Sequence, residues 1–401
     1  MANTSATTFE KSLIEEIFKA GFSFATNVQL LWKGKESFNT IFDAVRNAKK
    51  FVCLEFYICR NDETGRELAE ILKQKSREGV KVYLMYDHFG SFGTPKSFWH
   101  DMKTAGVKIR ASHPFKWEKP FHYVHRDHKK LIVIDAEKAF TGGLNIANEY
   151  SGFHLRIKGA GWRDTGIMLE GPIVIELFNI FKKSWHTWGG ENIGFPTAEK
   201  KLPERNLPDK TMNLPETGYG IPVIPIFVHS ARGRRRMRRL LYYSINHSQI
   251  SISLTTAYFT PSRRMVETLE EAVKRRVKVR LLVPGKSDVP AASYAGRAFF
   301  SRLLKAGIEI YNYTGEILHA KTYIFDNCWS IIGSTNLDFQ SLRYNDEGSV
   351  GILDTGFALK MQEVFEEDLK HSIKIYEDSW HKRPFSEKIK EWFFSLFRKI
   401  L

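Results

Sequence analysis

The chain has 401 residues, of which 43% are hydrophobic and 26% charged, and its formal net charge is +15. That balance excludes a disordered, fibrous or collagen-like chain, and it leaves roughly two to three globular domains with an anionic partner. The three cysteines, Cys53, Cys59 and Cys328, lack C-x-x-C spacing, which argues against a zinc site or a disulfide framework and for a reducing compartment.

Residues 1–8 carry no basic stretch followed by a long apolar core, so no signal peptide is expected. No apolar run approaches the roughly 20 residues that span a bilayer. From Phe9 to Phe24, Phe9, Leu13, Ile14, Ile17 and Phe18 recur at helical spacing opposite Glu10, Glu15 and Glu16. An amphipathic helix with an acidic polar face is expected to pack on the protein rather than on a membrane. From Asn27 to about Gly190 the pattern is α/β: helices Ser37–Lys49 and Gly65–Glu78 alternate with strands Phe51–Cys59 and Val80–Tyr86. The order returns in the second half as helix Arg234–Asn246, strand Ile250–Phe259, helix Arg263–Arg276 and strand Val277–Val283. Such alternation predicts a largely parallel or mixed sheet covered by helices.

Between the halves, Ala198–Pro225 holds five prolines and reads as a surface linker. Arg232–Arg239, RGRRRMRR, is the densest basic run, equally consistent with a solvated helix face and with contact to acidic headgroups. The loop His113–His122 carries Phe115, Trp117 and Phe121, interrupted by Lys116 and Lys119; its aromatics either belong to the core or line the mouth of a site for an apolar substrate, the reading the lysines favour. In Ser386–Leu401, Ile389, Trp392, Phe393, Leu396, Phe397 and Ile400 share one helical face, with Lys388, Lys390, Glu391, Arg398 and Lys399 on the other. This helix suits the plane of an anionic membrane, or else packs back on the protein.

The stretch from His125 to Asn145, HRDHKKLIVIDAEKAFTGGLN, occurs twice. His128, Lys130, Asp135, Gly142, Gly143 and Asn145 return as His319, Lys321, Asp326, Gly333, Ser334 and Asn336, each 191 positions later (319 against 128) with no gap. Composition alone yields an H-x-K-x-x-x-x-D match roughly 0.04 times in a chain like this. Two matches in register are a duplicated half-site, and so long a period means two domains rather than a solenoid.

His128 and Lys130 lead into the apolar run LIVI, a strand, so period two puts imidazole and ammonium on one face. Asp135 and Asp326 stand at an odd offset and share that face only where the strand ends or bulges; otherwise they orient neighbours or stabilise a turn. A metal between histidine and lysine is electrostatically penalised, whereas an anion is welcome. A phosphodiester fits, with Lys130, Lys321, Asn145 and Asn336 on its non-bridging oxygens. One histidine can then attack phosphorus while the other protonates the leaving alkoxide, with no metal required.

With these residues in view, the chain resembles the phospholipase D superfamily over about residues 27–385, and within it the bacterial cardiolipin synthases. The second resemblance rests on LEFYICRNDETGREL (54–68), RDHKKLIVID with GGLNI (126–146), GWRDTGIMLEGP (161–172), and HAKTYIFD running into GSTNLDFQSLRYNDE (319–347). It implies two similar α/β domains, each a mixed sheet flanked by helices, with their motifs meeting at the interface. The expected division is an N-terminal helix at 1–26, domains at 27–195 and 226–385 joined by a linker at 196–225, and a tail helix at 386–401. It also implies metal-independent transfer through a phosphohistidine, with His128 as the nucleophile, and catalytic roles for His128, Lys130, Asp135, His319, Lys321 and Asp326. Similar enzymes orient the histidine with a carboxylate, for which Glu347 serves His319 and Asp164 is the first-half counterpart. The missing pair of membrane spans makes the chain look closer to the shorter synthases. The expected partners are an anionic phospholipid and a membrane surface, with no obligatory nucleic acid, and the expected place is the cytoplasmic side of a bacterial inner membrane. Transfer to water, a nuclease of the same superfamily and a silent lipid-binding relative are the alternatives.

Overall fold

The computed structural model describes residues 9–114, 125–152, 161–194 and 220–399. Its strands are β1 (Ser23–Ala25), β2 (Asn27–Leu31), β3 (Phe51–Phe56), β4 (Lys81–Asp87), β5 (Lys108–Ser112), β6 (Leu131–Ile134), β7 (Lys138–Gly142) and β8 (Gly166–Glu170). They continue as β9 (Ile221–Val228), β10 (Ser251–Thr255), β11 (Lys278–Pro284), β12 (Glu309–Tyr313), β13 (Thr322–Phe325), β14 (Trp329–Gly333), β15 (Glu347–Leu353) and β16 (Ser372–Ile375). One sheet runs β2-β8-β7-β6-β3-β4-β5 and the other β1-β9-β15-β14-β13-β10-β11-β12-β16. Without the edge strands β1 and β16, the second order is the first repeated, so the sequence duplication is a duplication of topology. The triplets β3-β4-β5 and β10-β11-β12 are parallel, and the remaining pairs are antiparallel, as in β3 with β6 and β10 with β13.

The sheets are covered on both faces, which is why a strand such as β3, FVCLEF, is buried throughout. Between them lies one apolar layer. Phe178 and Phe181 of the helix Ile173–Thr187 and Phe357 and Phe365 of the helix Thr355–Lys370 pack there with Val133 and Ile167 of the first sheet and Ile324 and Val350 of the second. Outer cores lie beneath the helices Gly34–Arg46 and Glu63–Arg77 on one side and Ala231–His247 and Arg263–Lys274 on the other.

Two expectations change. The first helix covers only Lys11–Phe18, stopped by Lys19 in the left-handed region, and Ser23–Ala25 is a strand paired with β9. The N-terminal segment therefore belongs to the second sheet, where Phe9, Ile14 and Phe18 share a core with Met237, Leu240 and Leu241. The stretch read as linker ends in β9, IPVIPIFV, which sits between β1 and β15 despite Pro222 and Pro225. Proline in a run is ordinarily a mark against a central strand, which is why β9 was missed. Phe115, Lys116, Trp117, Lys119 and Phe121 lie outside the described residues.

The tail helix, Phe385–Leu396, is turned inside out. Its buried edge carries Glu391, only 2% exposed and bound by Arg383 and Arg297, and Phe394, stacked on Tyr294. Phe385, Ile389, Trp392, Phe393 and Leu396 face outward, Trp392 with 63% of its surface exposed. Among the described residues no helix is long and apolar enough to cross a membrane.

Candidate active site

The two motifs meet where the halves are stitched by backbone. The segment before β6 pairs with the segment before β15: His128 N–H donates to Asp346 O and Asp346 N–H to Arg126 O, both at 2.8 Å. The segment before β13 pairs likewise with the segment before β8: His319 N–H donates to Arg163 O at 2.8 Å and Arg163 N–H to Ile317 O at 2.9 Å. The residue after each bridging position then points at the opposite half's histidine. His128 Nδ1 donates to Glu347 Oε2 at 3.2 Å, and His319 Nδ1 donates to Asp164 Oδ2 at 2.7 Å, with Lys321 Nζ 2.6 Å from the same nitrogen. The carboxylates are thus exchanged, and the expected pairing of Glu347 with His319 is overturned. Fixing Nδ1–H leaves each Nε2 lone pair available for chemistry.

Both imidazoles are buried, with 8% of His128 and 3% of His319 exposed. Burial and Lys321 push His319 down to about 4, and burial and Lys130 lower His128, against the pull of Asp164 and Glu347 respectively. Burial opposes ionisation of both carboxylates. Lys321 and His319 nevertheless hold Asp164 below its ordinary value, as His128 and Lys130 do Glu347. Each lysine ammonium donates to the carbonyl of the histidine two residues before it, Lys130 at 2.6 Å. Burial brings Lys130 down to about 7 and lowers Lys321. The result is a buried cluster of two imidazoles whose protonation is disfavoured and two desolvated amines, whose charge a nearby anion would stabilise.

Asp135 and Asp326 do not belong to it. Each caps the far end of its strand, about 17 Å from the lysine at a strand's rise per residue. Asp135 accepts the backbone N–H groups of Lys49, Lys50 and Phe51, and Asp326 those of Gln249, Ile250 and Ser251. Both have positive φ, as do the following Ala136 and Asn327. That is the requirement of a tight primed hairpin turn, which aspartate tolerates. The turn-stabilising alternative holds, and the catalytic one is corrected.

The side-chain oxygens of Asn145 and Asn336 are both engaged by the protein. Asn145 accepts from Ile58 N–H and donates to the Tyr150 hydroxyl, while Asn336 accepts from Tyr258 N–H and Thr256 Oγ. They pin the loops after β3 and β10, which bring Tyr57 beside His128 and Tyr258 beside His319. Tyr150 and Trp162 also flank His319. Sequence reasoning missed these rings; for Tyr57 and Tyr258 the signal was position just after the C-terminal ends of β3 and β10, where α/β sheets build sites. Gly143 is required sterically, since a Cβ there would fall 1.9 Å from Asp164 Oδ1. Its counterpart Ser334 donates its hydroxyl to Glu347 instead.

The family described as "Cardiolipin synthase, PLD-like domain" matches residues 41–156 and 241–369. "Cardiolipin synthase 2" of Bacillus anthracis is 33% identical over 97% of this chain and 73% of its own length. "Cardiolipin synthase" of Halalkalibacterium halodurans is 35% identical over 92% of this chain and 71% of its own. Among solved structures, phosphatidylserine synthase of Haemophilus influenzae aligns over 98% of this chain and all of its own, with TM-score 0.71 at 15% identity. That likeness shows the fold alone.

Proposed function

The chain belongs to the cardiolipin synthase family of phospholipase D-like proteins and is a phosphatidyltransferase of that type, and on that premise we propose that it moves a phosphatidyl group through a phosphohistidine. The observation that carries this reading is the meeting of two buried His–Lys pairs, each histidine held by the other half's carboxylate. The donor is phosphatidylglycerol. Nε2 of His128 attacks phosphorus, the P–O bond to the terminal glycerol breaks, and His319 delivers a proton to the leaving alkoxide. A hydroxyl of a second phosphatidylglycerol then gives its proton to His319 and attacks phosphorus. The P–N bond breaks, cardiolipin leaves and both histidines are restored. Lys130 and Lys321 hold the non-bridging oxygens, and Asn145 and Asn336 act through the loops they pin. The negative charge of the bound phosphodiester raises the pKa of the surrounding groups, so the proton that His319 delivers is retained only when substrate is present.

Attachment to the membrane is peripheral in this proposal, at the cytoplasmic leaflet of a bacterial inner membrane. The outward aromatic face of the helix Phe385–Leu396 supports it, with Lys388, Lys390, Arg398 and Lys399 close by for anionic headgroups.

The test is purified protein on phosphatidylglycerol vesicles with chelator, scored for cardiolipin and glycerol by mass spectrometry, beside His128→Ala and His319→Ala. Cardiolipin with equal glycerol, lost in both variants, is expected. Phosphatidic acid alone would make the protein a hydrolase, and covalent phosphate trapped on His319 would reverse the assignment of the nucleophile.

A further inference from the structure

On the opposite face of the stitched segments lies a second cleft, of about 790 Å³, between the helix Ile173–Thr187 of the first half and the β9–helix Ala231–His247 connection of the second. It shares no lining residue with the His–Lys cluster. Lys129 and Asp346 line it, and they alternate along the chain with His128 and Glu347, which face the other way.

Its charge is lopsided. Lys183 projects from one wall and Arg232 and Arg236 from the other, and no side chain of these three has a hydrogen bond or ion pair among the described residues. Two carboxylates line the cleft. Asp346 is already engaged by Arg234 at 3.2 Å and His113 at 3.5 Å, and Glu176 is the other. Arg234 is only 6% exposed, yet its Nε has no partner. The helix itself is wired against its dipole. Arg232, Arg234 and the residues that follow crowd the positive N-terminal end, where no acidic residue stands in the first turn. Such an arrangement is costly when empty and favourable around an anion.

We propose that this cleft is a second anion site, taking a phosphate group either free in solution or carried on a lipid headgroup. Lys183, Arg232 and Arg236 converge on the phosphate from both halves, and Arg234 supplies a buried donor at the floor. The site stands whether or not the His–Lys cluster makes cardiolipin, because its ligand is bound and not transformed.

The experiment is equilibrium dialysis of the full chain at low ionic strength, where screening is weak. One arm uses radiolabelled inorganic phosphate, the other dihexanoyl phosphatidylglycerol below its micelle concentration. Wild type is compared with Arg232→Glu/Arg236→Glu and, on the other wall, Lys183→Glu. A control, Arg235→Glu/Arg239→Glu, carries the same charge change on the same helix away from the cleft. Loss of each charge-assisted contact should weaken binding roughly tenfold. Both cleft variants are therefore expected to lose one bound equivalent while the control keeps it and all melt as wild type. A loss for inorganic phosphate identifies a soluble ligand, and a loss confined to the lipid identifies a headgroup. Uptake of both probes by the cleft variants equal to wild type, or an equal loss in the control, would overturn the site.

Discussion

At the scale of residues, the site depends on an exchange between halves. Asp164 serves His319 and Glu347 serves His128, so removing either carboxylate should impair one imidazole without disturbing the other. Asp164→Asn and Glu347→Gln are each expected to lower kcat by about 10²–10⁴-fold, as loss of a histidine-orienting carboxylate does elsewhere. Vesicle binding should not change, and a variant keeping a third of wild-type kcat would show that its carboxylate is dispensable. Asp135→Ala should behave in the opposite way. Three backbone N–H groups lose their acceptor, at a cost of about 2–4 kcal/mol by denaturant titration, while kcat per folded molecule stays within a few-fold of wild type. The pH response follows from Lys130. Its pKa is lowered to about 7 by burial, so above that value the free enzyme loses the cation that grips phosphate. We expect kcat/KM to fall on the alkaline side of about pH 7, with kcat falling less because bound phosphate restores the proton. A kcat/KM profile flat from pH 6 to 9 would contradict this assignment.

At the scale of elements, the strongest signal in the chain gave a right motif with a wrong member. His128 and Lys130 stand just before β6, and His319 and Lys321 just before β13, and the short H-x-K spacing keeps each ammonium on the carbonyl of its own histidine. The aspartate at the odd offset is a hairpin residue, visible only as two consecutive positive φ values. The tail helix teaches the reverse lesson. Its amphipathic pattern was legible, but an apolar face ordinarily turns inward. Here Arg297 and Arg383 neutralise Glu391, and the polar edge is what docks. Trp392→Asp combined with Leu396→Asp should therefore leave the fold and the melting temperature intact. It should reduce flotation with anionic vesicles at least tenfold, since each buried apolar side chain contributes about 1.5–3 kcal/mol. Undiminished flotation would rule this face out as the membrane contact.

At the scale of the whole molecule, the halves are two by topology and one by packing. The layer between the sheets draws its side chains from both, and Arg163 crosses the boundary to Asp368 through Nε and Nη2 at 2.7 and 2.8 Å. Calorimetry should therefore record a single transition, and two separated transitions would refute the shared core. Arg163→Ala, which leaves a buried carboxylate unpaired, should lower stability by about 3–5 kcal/mol without splitting that transition. The sequence by itself determined the duplicated half-site, the α/β class and the His–Lys pairs. All of these rest on spacing within a few residues or on composition. Only the tertiary structure decided which carboxylate serves which histidine, that the N-terminal strand joins the second sheet, and which edge of the tail helix docks. The partners concerned lie far apart along the chain, 155 and 219 positions for the two His–carboxylate pairs, and no local periodicity encodes how two similar halves will face each other.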